Sequence, residues 1–362
     1  MSLKIDDQIP LVTTSFPTSQ MRPLTSKGLL DPLGRQITYL RISITDRCNL
    51  RCIYCMPEEG VKWLPRAEVL TLEEIWRIVR VAASMGLRKV RITGGEPTVR
   101  RGVVDLIRWI ASTPGIEDVA MTTNGLSLSS MASELAQAGL RRVNVSLDTL
   151  RPERFREITR WGNLDDVLAG IEAARKAGLS PIKLNVVVMR GINDDEVVEF
   201  ARTTLWEDWE VRFIELMPFM EDEGLCSKSQ GDLSPSFVPT KVIKRRIEEA
   251  LGPLSPAQSA SGAGPAKYYR LSGGKGLVGF ISPLTEHGFC STCNRMRLTA
   301  DGKLRPCLLT DHEVDLKGVL RAGGTDKEIK GAILLALRTK PDAHHLWDGN
   351  RPRWRKMVQI GG

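Results

Sequence analysis

The chain lacks any apolar run long enough to cross a bilayer. Its start, Met1 to Ser26, is polar and holds Asp6 and Asp7, so it has neither the apolar core of a secretory leader nor the acid-poor character of a transit peptide. Cysteine is sparse and odd in number, seven in 362 residues, which excludes the dense disulfide framework of a small secreted domain. Histidine is scarcer still, at four. Neither sign of charge dominates: Lys plus Arg number 51 and Asp plus Glu 43, a net charge of +8 spread along the chain. That balance suits an anionic ligand and equally a solvated surface. With 42% hydrophobic and 26% charged residues, a largely disordered chain is excluded. The reading is a soluble, cytoplasmic protein of about two domains.

Regularity begins at Tyr39. Short β-rich runs occur at Tyr39–Ile44, Lys89–Thr93, Asp118–Thr122, Arg142–Ser146, Ile182–Val188 and Val211–Leu216. Amphipathic stretches lie between them, at about Thr71–Met85, Val103–Ala111, Ser130–Ala138, Leu164–Ala177 and Asp194–Leu205. In the first of these, Thr71 and Glu74 form a capping box ahead of an apolar stripe. Six strands alternating with helices predict an α/β fold, a partial (β/α)6 TIM-type barrel with a parallel sheet. The expected organisation is a loose arm over 1–30, the barrel over 31–220 and a C-terminal region over 221–362. In that region Glu221–Ser236 is a polar insertion and Leu254–Pro265 a flexible loop. A helix is expected near Lys241–Ala250, strands near Tyr268–Leu271, Leu277–Ile281 and Arg295–Thr299, and a last helix capped by Thr325 with Glu328.

Every second residue of a strand shares a face. One face collects Arg41 and Ser43, then Lys89, Arg91 and Thr93, then Arg142, Asn144 and Ser146, then Lys183 and Asn185. The other face is apolar: Val90 and Ile92, Val143 and Val145, Leu184 and Val186. A barrel lined with Arg and Lys is costly to desolvate unless an anion enters it. The alternative is that basic residues lie near the barrel floor and stay solvated, Arg142 foremost.

Six cysteines fall into two groups. Cys48, Cys52 and Cys55, spaced C-x3-C-x2-C, follow the first strand. A closed zinc site takes four ligands and no His lies nearby. Three thiolates suit a [4Fe–4S] cube with one iron left open. A zinc knuckle with a remote fourth ligand, or plain buried cysteines, are the alternatives. Cys290, Cys293 and Cys307 are spaced C-x2-C-x13-C. Here zinc is a stronger competitor, with His287, His312 or Cys226 as a fourth ligand; Cys226 also reads as a bystander thiol. The other histidines, His344 and His345, read as surface residues.

Four further motifs sit at strand C-terminal ends, where barrels build active sites. They are Thr93-Gly94-Gly95-Glu96-Pro97, Thr122-Thr123-Asn124-Gly125, Ser146-Leu147-Asp148 and Glu215-Leu216-Met217-Pro218. Glycines at the first let the backbone approach a ligand closely. With Tyr54 ahead of Cys55, the set resembles the radical S-adenosylmethionine (SAM) superfamily. In that superfamily SAM chelates the open iron, and an electron from the cluster cleaves it to a 5′-deoxyadenosyl radical. Both cysteine groups, with Asn294-Arg295-Met296-Arg297 between Cys293 and Cys307, are similar to the GTP 3′,8-cyclase family of molybdenum cofactor biosynthesis over about Leu30 to Gly362.

That resemblance implies two [4Fe–4S] clusters, on Cys48, Cys52 and Cys55 and on Cys290, Cys293 and Cys307. It implies SAM contacts at Tyr54, Gly95, Ser146 and Met217. It implies triphosphate contacts at Arg41, Lys89, Arg91, Lys183 and Arg212, a nucleotide contact at Thr122, and Arg295, Met296 and Arg297 beside GTP near the second cluster. The implied reaction turns GTP into (8S)-3′,8-cyclo-7,8-dihydroguanosine 5′-triphosphate. A reducing electron donor and a downstream cyclic pyranopterin monophosphate synthase are the expected partners, with a homodimer as a further expectation and no membrane or nucleic acid. Two competing readings remain: a radical SAM peptide-modifying enzyme with an auxiliary cluster, and a zinc-containing nucleic-acid binding protein. The chain ends in Gly361-Gly362. It reads as a frayed end, as a sulfur carrier's terminus, or as a tail entering the active site, where only glycine is slim enough. The family ends in the same dipeptide, which implies catalytic positions for Gly361 and Gly362 and a tail that positions Arg91.

Overall fold

The computed structural model describes residues 28–219, 235–260, 264–286, 288–346 and 355–361. The N-terminal arm up to residue 27, Cys226 with most of its insertion, His287 and Gly362 lie outside them. The strands are β1 (Tyr39–Ser43), β2 (Lys89–Thr93), β3 (Asp118–Thr123), β4 (Arg142–Ser146), β5 (Lys183–Val188), β6 (Glu210–Glu215), β7 (Leu254–Ala257), β8 (Lys267–Leu271), β9 (Leu277–Ile281), β10 (Arg295–Leu298), β11 (Lys303–Arg305) and β12 (Val314–Asp315). They form one sheet in the order β12-β11-β10-β1-β2-β3-β4-β5-β6-β9-β8-β7. From β10 to β9 every neighbouring pair is parallel. The hairpin partners at both edges are antiparallel. β7 and β12 stand at opposite ends of the order, so the barrel is open.

The six expected strands build the centre. The C-terminal region continues the same parallel body on both sides, with β9 beside β6 and β10 beside β1.

The helices are α1 (Leu72–Ser84), α2 (Val103–Ala111), α3 (Leu128–Gln137), α4 (Pro152–Thr159), α5 (Leu164–Lys176), α6 (Val197–Thr203), α7 (Thr240–Leu251), α8 (Leu316–Arg321), α9 (Asp326–Arg338) and α10 (Met357–Ile360). None is long and apolar enough to cross a membrane. α1 starts as its sequence dictates: Thr71 Oγ1 accepts from the Glu74 N–H at 3.1 Å and Glu74 accepts from the Thr71 N–H at 2.7 Å. Such a cap contributes about 1 kcal/mol. Ile75, Ile78, Val79 and Ala82 of α1 join Val90, Ile92, Val143, Val145, Leu184 and Val186 in the main core, so the apolar strand face meets the helices.

Three local expectations are corrected. Leu254–Ala257, read as part of a flexible loop, is the edge strand β7, paired antiparallel with β8. Pro256 is tolerated there because the strand lies at the sheet edge. The unforeseen α4 is short and charged and buries only Phe155, Ile158 and Thr159. The last helix is α10, a single turn, and not α9.

Candidate active site

Immediately after β1 the chain turns into the loop bearing Cys48, Cys52 and Cys55, at the C-terminal end of the barrel strands. All three are free, half-buried thiols. Burial pushes Cys48 up to about 11 and Cys55 to about 12, and holds Cys52 well above the usual thiol range. The adjacent thiols add to this at Cys52 and Cys55. The Leu50 N–H donates to Cys48 Sγ at 3.4 Å, and the Val358 N–H donates to Cys55. Three soft sulfurs with backbone donors aimed at them fit the ligand set of an iron–sulfur cube.

The strand-end motifs hold this loop in place. Gly95 N–H donates to Thr45 O at 2.7 Å and Glu96 N–H to Arg47 O at 2.8 Å. A Cβ on Gly95 would lie 2.3 Å from Arg47 O, so the close approach that these glycines allow is to the cluster loop itself. Buried carboxylates then staple neighbouring strand ends. Glu96 accepts from Thr98 Oγ1 at 2.6 Å, Thr123 Oγ1 at 2.8 Å and the Asn124 N–H at 2.7 Å. Asp148 accepts from Tyr54 Oη at 2.8 Å and the Val187 N–H at 2.8 Å, and burial raises it to about 6. Glu215 accepts from the Leu284 N–H at 2.9 Å and from Thr285, and so ties β6 to the turn after β9. The motifs alone do not assign these acids, because apart from Thr98 their partners are 27 to 94 residues away. Tyr54 is thus anchored beside the triad. Ser146, half-buried, ends β4, and Met217, half-buried, packs near Phe219 and Met357.

The polar strand face carries the expected cations. Arg297, Arg41 and Arg91 stand level on β10, β1 and β2. Burial, then mutual repulsion, holds Arg41 well below the ordinary arginine range. Burial lowers Arg91 and Arg297 to about 10. Arg91 also lies over the Tyr39 ring, 5.5 Å from its centroid.

Three other cations have protein partners that the sequence does not reveal. Arg142 makes a two-point pair with Asp118, at 2.6 and 2.5 Å. Arg142 is buried in this pair, which corrects the expectation that it stays solvated near the barrel floor. Lys183 bonds Glu210, Ser259 Oγ at 3.0 Å and Tyr268 Oη at 3.1 Å. Burial and the neighbouring Arg212 pull Lys183 down to about 7, against the upward pull of Glu210. Arg212 donates to Asn185 Oδ1 at 2.5 Å. Lys89 opens β2, level with Asp118, and Thr122 accepts from Asn144 Nδ2 at 3.3 Å. Glu210 could have been found: it lies two residues before Arg212, on the same face, but the expected strand began one residue too late.

Cys290 and Cys293 precede β10 and Cys307 follows β11, so the second triad sits at the opposite end of the strands from the first. These thiols are also free and half-buried. Burial pushes Cys293 up, but Arg295 and Lys340 more than reverse this, to about 6. Arg295 donates to Cys293 Sγ at 3.7 Å and Lys340 at 3.5 Å. The Leu309 N–H donates to Cys307 Sγ at 3.4 Å. Met296 does not join the site. It alternates with Arg295 and Arg297, so its side chain enters the main core on the other face. His344 is corrected as well: it is buried, with Nε2 bonded to Pro283 O at 2.8 Å, while His345 is half-buried.

The end of the chain returns to the barrel. Met357 and Ile360 pack with Phe219, Leu284 and Leu309, residues that follow β6, β9 and β11. Gly361 is buried with φ +77°, and a Cβ there would lie 2.3 Å from Thr93 Oγ1. Its carbonyl accepts from Arg297 Nη1 at 2.7 Å. Only glycine suits that torsion and that clearance.

Residues 42–204 match the model of the radical SAM superfamily, and residues 209–346 match that of the molybdenum cofactor synthesis C family. A GTP 3′,8-cyclase of Pelotomaculum thermopropionicum is 53% identical over 332 residues, covering 92% of this chain and 99% of its own. One from Heliobacterium modesticaldum is 53% identical, covering 92% of this chain and all of its own. One from Moorella thermoacetica is 52% identical, with 92% and 99% covered. In fold, the chain resembles SuiB of Streptococcus suis, solved bound to S-adenosylmethionine, with a TM-score of 0.56 at 15% identity over 82% of this chain and 68% of that one. The chain therefore belongs to the GTP 3′,8-cyclase family of the radical SAM superfamily, as a [4Fe–4S]- and SAM-dependent enzyme of molybdenum cofactor biosynthesis.

Proposed function

We propose that the enzyme converts GTP into (8S)-3′,8-cyclo-7,8-dihydroguanosine 5′-triphosphate, joining ribose C3′ to guanine C8 inside the barrel, and that the second triad also holds a [4Fe–4S] cluster. The observation that carries this reading is the level row of Arg297, Arg41 and Arg91 between two thiol triads at opposite ends of the strands. Buried guanidiniums that lower one another's basicity gain most from an anion. A triphosphate is such an anion, and arginine binds it with two parallel bonds.

Cys48, Cys52 and Cys55 hold the first cluster, and the cluster with SAM supplies a hydrogen-abstracting radical when bound. Tyr54, Gly95, Ser146 and Met217 line the SAM end. Arg41, Lys89, Arg91, Lys183 and Arg212 hold the phosphates, with Thr122 at the nucleoside. Arg295 and Arg297 lie toward the second triad, where the guanine end is placed. Gly361, bonded to Arg297 and set against Ser43 and Thr93, closes the space around the ribose and excludes water.

The test is anaerobic incubation of the iron–sulfur-reconstituted protein with SAM, a strong reductant and GTP deuterated at C3′. A triphosphate product isomeric with GTP, with deuterium recovered in 5′-deoxyadenosine, is expected. Unlabelled 5′-deoxyadenosine and unchanged GTP would reject the reading.

A further inference from the structure

Lys340, two residues past the end of α9, is a buried cation that the proposed chemistry does not use. Its Nζ donates to Cys293 Sγ at 3.5 Å, Arg295 O at 2.8 Å and Pro306 O at 2.7 Å. An ammonium has three hydrogens, and these three bonds use them all. None of the three goes to a carboxylate. A buried charge is costly unless an anion compensates it. The acidic group within its reach is the thiol of Cys293, which binds a cluster as the thiolate.

The bonds also have a mechanical meaning. Cys293 lies in the arm before β10 and Arg295 opens β10, whereas Pro306 immediately precedes Cys307. One ammonium therefore ties the C-x2-C arm to the arm of the third cysteine. The residues beyond Lys340 continue around the same triad. Pro341 O and Asp342 O accept from Arg35, at 2.5 and 3.0 Å, and Arg35 Nη1 also donates to Cys290 O at 3.0 Å. The His344 N–H donates to the Cys290 thiol. Residues 340–344 thus form a collar with a contact to each arm.

Arg295 also touches Cys293, at the longer distance of 3.7 Å, from a half-buried position beside the Phe289 ring. It has room to turn to a ligand. Lys340 is held in a buried cage by two carbonyls and the Cys293 sulfur.

We propose that Lys340 is a positioning residue of the second centre: its fixed ammonium charge holds the Cys293 thiolate in place, locks the two arms together and raises the reduction potential of the cluster bound there. This rests on the reading that the second triad binds a cluster. A nearby cation favours the more negative, reduced form of a cluster, so loss of Lys340 moves the potential downward.

The test uses the full chain carrying Cys48→Ser, Cys52→Ser and Cys55→Ser, so that iron, sulfide and electron paramagnetic resonance report the second centre alone. About four irons are expected per chain; no iron or sulfide would overturn the second-cluster reading, whatever Lys340 does. In that background Lys340→Gln is expected to shift the midpoint potential to more negative values and alter the resonance signal, or to lose the cluster. Lys340→Arg is expected to restore it. Lys340→Gln with full iron and an unchanged potential would overturn the proposal. Equal loss in Lys340→Gln and Lys340→Arg would also overturn it, because shape and not charge would then decide. In the chain with its first triad intact, Lys340→Gln is expected to keep the first cluster's iron and SAM cleavage. Loss of iron from both centres would make Lys340 a residue of general stability and overturn the assignment.

Discussion

The two cysteine triads present the same three thiols at opposite ends of the same strands, and their surroundings differ in charge. The first lies on one continuous loop. Burial dominates there, and the nearby acids Asp148 and Glu96 add to it, so its thiols resist ionisation. The second is assembled from two arms separated by a hairpin, and Arg295 and Lys340 bring Cys293 down to about 6 despite burial, while burial holds Cys290 above the usual thiol range. Equal donor sets therefore do not make equal centres. A cluster in the first setting is the harder to reduce and the stronger electron donor; one beside two cations is the easier to reduce. This division suits a first centre that cleaves SAM and a second that orients nucleotide.

The largest expected effect concerns the first triad. Cys48→Ser, Cys52→Ser or Cys55→Ser should reduce 5′-deoxyadenosine formation to background, because a hydroxyl is a poor iron ligand beside thiolates. A variant that cleaves SAM at the normal rate would remove the triad's assigned role. Next comes the tail. Deleting Gly361 and Gly362 should lower cyclisation on the order of 10- to 100-fold, the scale of a misplaced reacting group. Iron content and SAM cleavage should survive, and undiminished turnover would return the tail to an ordinary terminus.

Charge effects fall on binding and not on the cyclisation step. Arg212→Ala should weaken GTP binding about tenfold to a hundredfold, one charge-assisted contact, and leave guanosine nearly unaffected. Lys183→Ala should cost more, since it leaves Glu210 buried and facing the phosphates; adding Glu210→Gln should recover part of the loss. Equal weakening of GTP and guanosine would place these residues away from the triphosphate.

The smallest effect is a proton. Lys183 stands near 7 in the free protein, pulled down by burial and Arg212. At pH 8 it is mostly neutral, and an arriving triphosphate raises it. Calorimetry in buffers of different ionisation heat should therefore show proton uptake on GTP binding at pH 8, declining toward pH 6. The same uptake in Lys183→Met would assign the proton to another group.

The core strands were legible because period-two alternation is strong in Lys89–Thr93 and Arg142–Ser146, and α1 because Thr71 and Glu74 announce its start. The edge strand β7 was hidden, since LSPA carries a turn-like composition and buries only Leu254 fully. The thiols and the row of arginines could be read from spacing and alternation. Their partners could not. Asp118 meets Arg142, Glu210 meets Lys183 and Lys340 meets Cys293 only through sheet register and chain return. Met296 misled because a motif match ignores the alternation that turns its side chain into the core.

The division of labour between the triads is tested most directly by measuring 5′-deoxyadenosine and cyclised nucleotide together in Cys290→Ser, Cys293→Ser and Cys307→Ser variants whose iron has fallen to about four per chain. The account predicts continued 5′-deoxyadenosine formation with no 3′,8-cyclised product. Cyclised product formed at the unmodified enzyme's rate without the second cluster would contradict it.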